Sequence, residues 1–359
     1  MKLINESGLW ATGSAPAPVG AVALLEVSGA VLSWPIDDPS HLPVISFTDA
    51  ARADWMWRVL GEAGHVAVIE ALRDPDPAEV IELPSVTVLP GSADSLRRLA
   101  LGHWLRRWWP ASRRDGIVAL DRPVLDAELA VLTAAAEGYF TDDTLDADVA
   151  ELLAPHGAAL GSYRDPRVDA LVARCRDLAD DAGLQWGAPA ATAARREDYA
   201  LAAGLDGESS PSGVIAAGNV TIAWSDVPPG IFDAAERNLA WGVVAEGATV
   251  MAQLRAALSG PESAAGIPVS LSCGAFHAAG ALDAEGGALL PVFDADGRPA
   301  DEAQAWNADW PAARVSVGAG EATESSELRD RVRAFARARL AAPAPDVFLA
   351  ELLAAESDY

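Results

Sequence analysis

The spacing of apolar positions changes along the chain, and the changes divide it into regions. Residues 19–27 and 30–34 are apolar runs separated by Ser28 and Gly29, which predicts a hairpin with a two-residue turn. Pro35, Pro39 and Pro43 interrupt the pattern before a short strand at residues 44–47, and Thr48 is expected to cap a helix through Leu60 that ends near Gly61 or Gly64. Residues 65–72 and 80–89 read as further strands. Residues 1–91 are therefore assigned to a small α/β layer.

From Ser92 the period becomes helical. Ser92 is placed to cap a helix whose apolar positions are Leu96, Leu99, Trp104 and Trp108, and Pro110 stops it. Asp121, Arg122 and Pro123 open a second helix with a stripe of Leu125, Leu129, Leu132 and Ala136. Thr141 or Asp142 opens a third carrying Leu145, Val149, Leu152 and Leu153. Asp165 caps the clearest helix, with Pro166 at its first position and Gly183 at its end. Four helices on short connections imply an antiparallel bundle over residues 92–186. Residues 187–213, rich in alanine, glycine, serine and proline, read as a linker.

After residue 213 the period falls to two. Val220, Ile222 and Trp224, then Leu239, Trp241 and Val243, then Val250, Ala252, Leu254 and Leu258 alternate with other residues. Val269, Leu271 and Cys273 make a fourth strand. Residues 279–283 and 288–293 read as a hairpin, and residues 314–318 supply a seventh strand. Seven short strands over 214–320 predict an antiparallel β-sandwich of immunoglobulin-like or transthyretin-like type. Residues 321–359 close with two helices. Ser325 or Ser326 caps the first, which bears Leu328, Val332, Phe335 and Leu340, and Asp346 caps the second, which bears Phe348, Leu349, Leu352 and Leu353. The fold class is α+β and multidomain, as expected for 359 residues, since single cores stop growing at about 250–300.

A net charge of −26 argues against general binding to duplex nucleic acid or anionic lipid. The first residues lack the charged and apolar regions of a secretion signal, and no stretch approaches the roughly 18 uninterrupted apolar residues of a membrane helix. A cytoplasmic location without membrane association is expected. Lys2 is the only lysine and alanine is abundant, a bias typical of a GC-rich bacterial genome. Cys175 and Cys273 support neither a disulfide framework nor a zinc motif, and both read as small buried hydrophobes.

Local charge reverses the overall sign once. Residues 92–114 carry six arginines against one carboxylate, Asp94, interleaved with tryptophan. Guanidinium forks and indole faces suit an anionic partner, whereas an amphipathic helix with buried tryptophans and internally paired arginines accounts for the same pattern. The candidate partner contacts are Arg97, Arg98, Trp104, Arg106, Arg107, Trp108 and Trp109, together with Phe348, Leu349, Leu352, Leu353 and Tyr359 of the terminal helix. That helix is expected to dock on a partner.

Catalytic signals are weak by comparison. His103 and His156 read as structural or surface histidines. Ser272, Cys273 and His277 invite a nucleophile–base assignment, but the stretch lacks a nucleophile elbow and a third group. Asp283, Asp294, Asp296 and Asp301 follow turn rhythm more closely than calcium-loop spacing. Trp224, Trp241, Trp306 and Trp310 form either a sugar-binding platform or sandwich core. No cofactor or metal is implied. The expected function is a non-catalytic cytoplasmic adaptor or scaffold binding partner proteins in a bacterial multi-protein system. The alternatives are a hydrolase with a site assembled from distant residues, and a ligand-binding β-sandwich for sugar or calcium.

Overall fold

The computed structural model describes residues 1–6, 8–73, 76, 80–140, 146–184, 186, 213–246, 249–320, 324–342 and 344–357. The chain divides into two compact units, one made of Met1–Trp109, Leu120–Ala191 and Glu327–Tyr359, the other of Pro110–Ala119 and Thr192–Ser326. It is a mixed α+β structure with antiparallel sheets.

The first unit opens with β1 (Lys2–Glu6), β2 (Leu9–Ala11), β3 (Val22–Val27), β4 (Ala30–Pro35) and β5 (Val44–Phe47). The β3–β4 register closes at Val27 opposite Ala30, so Ser28 and Gly29 form the expected two-residue turn. Next come α1 (Met56–Ala71), β6 (Ile81–Glu82) and α2 (Asp94–Trp108). The strands make a six-stranded antiparallel sheet in the order β3-β4-β5-β2-β1-β6, and α2 packs against β3.

Four expectations for this region are corrected. Thr48 does not cap the first helix: Asp49 caps a 3-10 turn over Ala50–Arg52, and α1 begins at Met56 without a side-chain cap. Residues 65–71 continue α1 rather than forming a strand: the helix breaks at Gly61 (φ +73) and resumes, burying Leu60, Gly64 and Val68 at a spacing of four while Val66 faces solvent. The proposed strand at 80–89 shrinks to the two residues of β6, beyond which Pro84 has no amide to donate. Ser92 does not cap α2. Its hydroxyl donates to the Leu89 carbonyl (2.7 Å), and α2 starts two residues later without a side-chain cap.

The chain continues with α3 (Arg122–Glu137), α4 (Asp146–Leu153), α5 (Gly157–Leu160) and α6 (Pro166–Asp181). Asp121 caps α3 through the Val124 amide, and Asp165 caps α6 through the Arg167 amide, each followed by proline in the first turn as the sequence predicts. The helix start assigned to Thr141 or Asp142, and residues 187–212 of the expected linker, lie outside the described residues. Helix α3 is central, touching α2, α4 and α6.

The second unit contains β7 (Val214–Val220), β8 (Leu239–Glu246), β9 (Thr249–Ala256), β10 (Pro268–Cys273), β11 (Phe276–Ala281), β12 (Gly287–Pro291), α7 (Glu302–Trp306) and β13 (Arg314–Val317). One sheet runs β12-β9-β8-β7 and the other β11-β10-β13. Both contribute to one core, with Leu239, Trp241, Val243 and Leu254 from the first and Val269, Leu271, Phe276 and Val317 from the second. Residues 279–283 and 288–293 do not pair as a hairpin. A tight turn does form, with the Asp283 amide donating to the Gly287 carbonyl (2.8 Å), but β11 pairs with β10 and β12 with β9, so the chain changes sheets there. The alternation through Trp224 does not extend the strand either: β7 ends at Val220, and Trp224 begins a 3-10 turn. The loop 110–119 is anchored by buried Asp233, which accepts from the Ser112 hydroxyl (2.7 Å) and the Arg113 amide (2.8 Å).

The chain ends with α8 (Ser326–Ala341) and α9 (Leu349–Ser357). Helix α9 packs on α3 of the first unit, so the terminal helix docks within its own chain. Asp346 does not cap it; that position is taken by carboxylates from elsewhere, described next.

Candidate functional site

The arginines of α2 and the terminal helix, assigned above as partner contacts, meet one another. Arg97 donates to Asp346 (2.9 Å), and Arg98 donates to the Val347 carbonyl (3.3 Å) and lies 5.3 Å from the centre of the Phe348 ring. Phe348 is fully buried. It fills a hole on α2 that exists because residue 102 is glycine: a Cβ there would stand 2.9 Å from the Phe348 ring and 2.5 Å from Leu129. The first amides of α9 are satisfied by a carboxylate borrowed from α3, with Leu349 and Ala350 donating to Glu128 (2.8 and 3.1 Å). Glu351 accepts from the Phe348 amide (2.9 Å) and binds Arg339 through both oxygens, while the other side of Arg339 holds Asp346 (2.9 Å).

This network sets its own electrostatics. Burial pushes the Asp346 carboxyl up, but hydrogen bonds and charge from Arg339 and then Arg97 outweigh it and hold the group below the usual carboxylate range. For Glu128 burial wins over the two helix amides, and its carboxyl lies above its ordinary value. A recess of about 230 Å³ beside it is lined by Arg98, Arg167 and Arg174, yet Glu128 stands in the recess as the anion, and Arg167 is already bound to Asp165 (2.7 Å) and Glu356 (2.6 Å).

The remaining α2 candidates are also engaged. Trp104 is buried, donates to the Gly20 carbonyl (2.8 Å) and meets Phe335 edge-on. Arg106 and Arg122 converge on Asp126 (2.8 and 2.9 Å), which also receives His156 (2.9 Å). Burial pushes the Asp126 carboxyl up, but the His156 hydrogen bond and the two arginines bring it below its ordinary value. A buried carboxylate holding a histidine is the geometry that orients a general base, but among the described residues no hydroxyl or thiol hydrogen-bonds to His156. Arg107 stacks over Trp108 (4.6 Å) at the helix end, and both, with Trp109, are half-buried, as are Leu352 and Leu353. Tyr359 lies outside the described residues.

Other candidate chemistry resolves into structure. Ser272 and His277 are cross-strand neighbours on an exposed face, whereas Cys273 points into the core, donates to the Asp309 carbonyl (3.2 Å) and has its thiol pushed up by burial. Asp283 and Asp294 each accept two backbone amides of their own turns, and Asp301 caps α7. Among the described residues no group of three or more His, Cys, Asp or Glu side chains is placed to hold a metal ion, and no helix is long and apolar enough to cross a membrane.

The second unit presents a different kind of site. Trp241, Trp306 and Trp310, with Ala308, Pro311 and Ala313, face residues 215–220 of β7 across a groove of about 530 Å³. Trp310 is fixed to the core by stacking on Phe276 and by donating to the Ala305 carbonyl (2.8 Å). Trp241 lies over Gly218 on the neighbouring strand, where a Cβ would stand 2.8 Å from the indole. Trp306 is 51% exposed and reaches Glu302 through its indole nitrogen (3.3 Å). Of the four tryptophans considered as a platform, these three share the groove; Trp224 lies elsewhere, its backbone amide held by Glu324 (3.0 Å).

Comparison of the chain with protein-family models, curated proteins and solved structures returns no match. Sequence reading singled out the three tryptophans but missed Gly102, Asp126, Glu128, Gly218 and Arg339. Gly102 and Glu128 meet partners 246 and 222 residues away, Asp126 and Arg339 meet His156 and Glu351 at 30 and 12, and Gly218 depends on strand order; none of this is visible in local spacing.

Proposed function

We propose that this chain is a non-catalytic adaptor that binds partner proteins in a bacterial, cytoplasmic multi-protein system, using the groove of its second unit as the principal contact. The immunoglobulin-like or transthyretin-like reading of that unit belongs to the same proposal. The observation that carries it is the groove itself: an exposed indole and an apolar strand edge lie together, whereas the arginine and tail candidates of the first unit have internal partners. An exposed indole beside a groove floored by buried aromatic rings resembles the anchor pockets at the centre of protein interfaces. Arg107, Trp108 and Trp109 are secondary contacts.

Co-purification from the native host, with Trp306→Ala as the control, tests this. The expected result is a protein partner recovered in stoichiometric amount by the natural chain and reduced about tenfold or more by the variant, as for an interface hot spot. A partner recovered equally by both would remove the groove from the account. A second reading, a sugar-binding sandwich, is favoured by the open face of Trp306 beside the groove, and saturable glycan binding lost in Trp306→Ala would support it instead.

A further inference from the structure

Strand β7 is an edge strand, and the register fixes which of its backbone groups are unpaired. Strand β8 pairs with β9 without interruption, and the Ala245 amide donates to the Gly213 carbonyl (2.8 Å), so Leu239, Trp241, Val243 and Ala245 turn their backbone groups toward β7. Their partners Ala216, Gly218 and Val220 are the hydrogen-bonded positions after the bulge at Val214/Ala216. Ala217 and Asn219 therefore direct their N–H and C=O away from the sheet, and among the described residues no strand pairs with that edge.

The two sides of the second unit differ in this respect. At the β11–β12 side the sheets are joined, with His277 and Phe293 exchanging backbone hydrogen bonds (2.9 and 2.8 Å). At the β7 side the edge opens onto the tryptophan groove. Natural edge strands are usually guarded by charge, proline or a bulge; the seven residues VIAAGNV contain neither charge nor proline, and the bulge at Val214/Ala216 ends just before Ala217, leaving residues 217–220 in regular register. Trp306, a large apolar side chain exposed in this unit, lines this opening.

Building on the adaptor reading, we propose that β7 accepts an extended, neutral-to-basic segment of a different protein as an added strand, whose inward side chains seat against Trp241 and Trp306. Backbone hydrogen bonds to Ala217 and Asn219 supply register, and the groove supplies side-chain selection. Charge selects the occupant. Glu302 and Asp309 are exposed on either side of Trp306, and a second copy of a chain with net charge −26 would bring like charge to an acidic surface.

The test uses the full chain and a random linear-peptide display library as the probe, with amide exchange as the readout. In the free protein the Ala217 and Asn219 amides should exchange about 100-fold faster than those of Gly218 and Val220, and a selected peptide should slow them by about tenfold or more. Selected peptides should be neutral or basic, with β-branched or aromatic residues at alternate positions, and should bind less tightly as salt rises. Asn219→Pro, which removes an outward amide and no ladder hydrogen bond, should weaken binding about tenfold while Asn219→Ala binds normally. Should the proline variant fold poorly, the exchange pattern of the natural chain decides. Outward amides already protected in the free protein would mean that its own chain or a second copy covers the edge, and would overturn the proposal. So would failure to enrich any peptide, enrichment of acidic peptides, or equal binding by the proline variant. If the native partner is lost by Trp306→Ala but kept by Asn219→Pro, strand addition fails while the adaptor reading stands; if it is kept by both, the adaptor site itself is wrong.

Discussion

The α2–α9 network of the first unit and the β7 groove of the second are both rich in aromatic side chains, yet they dispose of their polar groups in opposite ways. In the network nearly every charge has a partner inside the unit: Arg97 and Arg339 share Asp346, Glu351 returns the fork of Arg339, and Glu128 serves the start of α9. At the groove, one edge of β7 has backbone donors and acceptors without a strand among the described residues to receive them, beside an open indole. A dense pattern of arginine and tryptophan is thus a poor guide to a binding surface. What separates the two regions is whether their charged groups find counter-charges or carbonyls within the chain, even though the buried Nε atoms of Arg97 and Arg98 have no hydrogen-bond partner among the described residues.

The largest expected effects lie in the network. Glu351→Ala leaves Arg339 buried beside only Asp346 and removes the acceptor of the Phe348 amide, and should cost about 3–5 kcal/mol in urea unfolding. Phe348→Ala should cost a similar ~3–5 kcal/mol, because a fully buried ring is lost from a hole that α2 cannot close. Effects below 1 kcal/mol for both would show that the terminal helix is dispensable to the first unit. Gly102→Ala tests the same fit from the other side. Its added methyl overlaps Leu129 and Phe348 and should destabilise by about 1–3 kcal/mol.

How much of this was legible depended on distance along the chain. The caps Asp121 and Asp165 and the Ser28–Gly29 turn act within a few residues, and local spacing exposes them. The role of Gly102 depends on a phenylalanine 246 positions later, and Glu128 caps a helix that begins 221 residues after it. Neither signal exists until the tail has docked. The expected 279–293 hairpin failed for a related reason: the turn is local and forms, but partner choice is set by the two sheets. At the groove, Trp241 and Trp306 could be singled out by residue type, whereas the open edge of β7 follows from strand order, which periodicity does not encode.

Acid provides a smaller and graded probe of the comparison. Asp126 and Asp346 are held below their ordinary values, so the stability they confer is present above the unfolded carboxylate pKa, about 3.9, and is lost as pH falls through their lower folded values. Glu128, held above its ordinary value, acts in the opposite sense: its contribution is full at low pH and is lost as pH rises through its folded value. Asp37, Asp38, Asp165 and Glu356 of the same unit are also held low, so with six lowered carboxyls against one raised the first unit should lose stability as pH drops below about 4, and Asp346→Asn should flatten part of that slope. An unchanged slope in Asp346→Asn would contradict the assigned pairing with Arg339 and Arg97. The smallest expected stability change is that of Trp306→Ala, within about 0.5 kcal/mol, because the ring is exposed.

The most direct measurement is backbone amide exchange across the whole chain, compared between the free protein and its complex with the native partner. The account predicts new protection concentrated at residues 214–220 and 306–313, with residues 94–108 and 346–357 equally protected in both states. Protection gained instead along α2 and α9, with β7 unchanged, would contradict it and return the partner contact to the arginine helix and the tail.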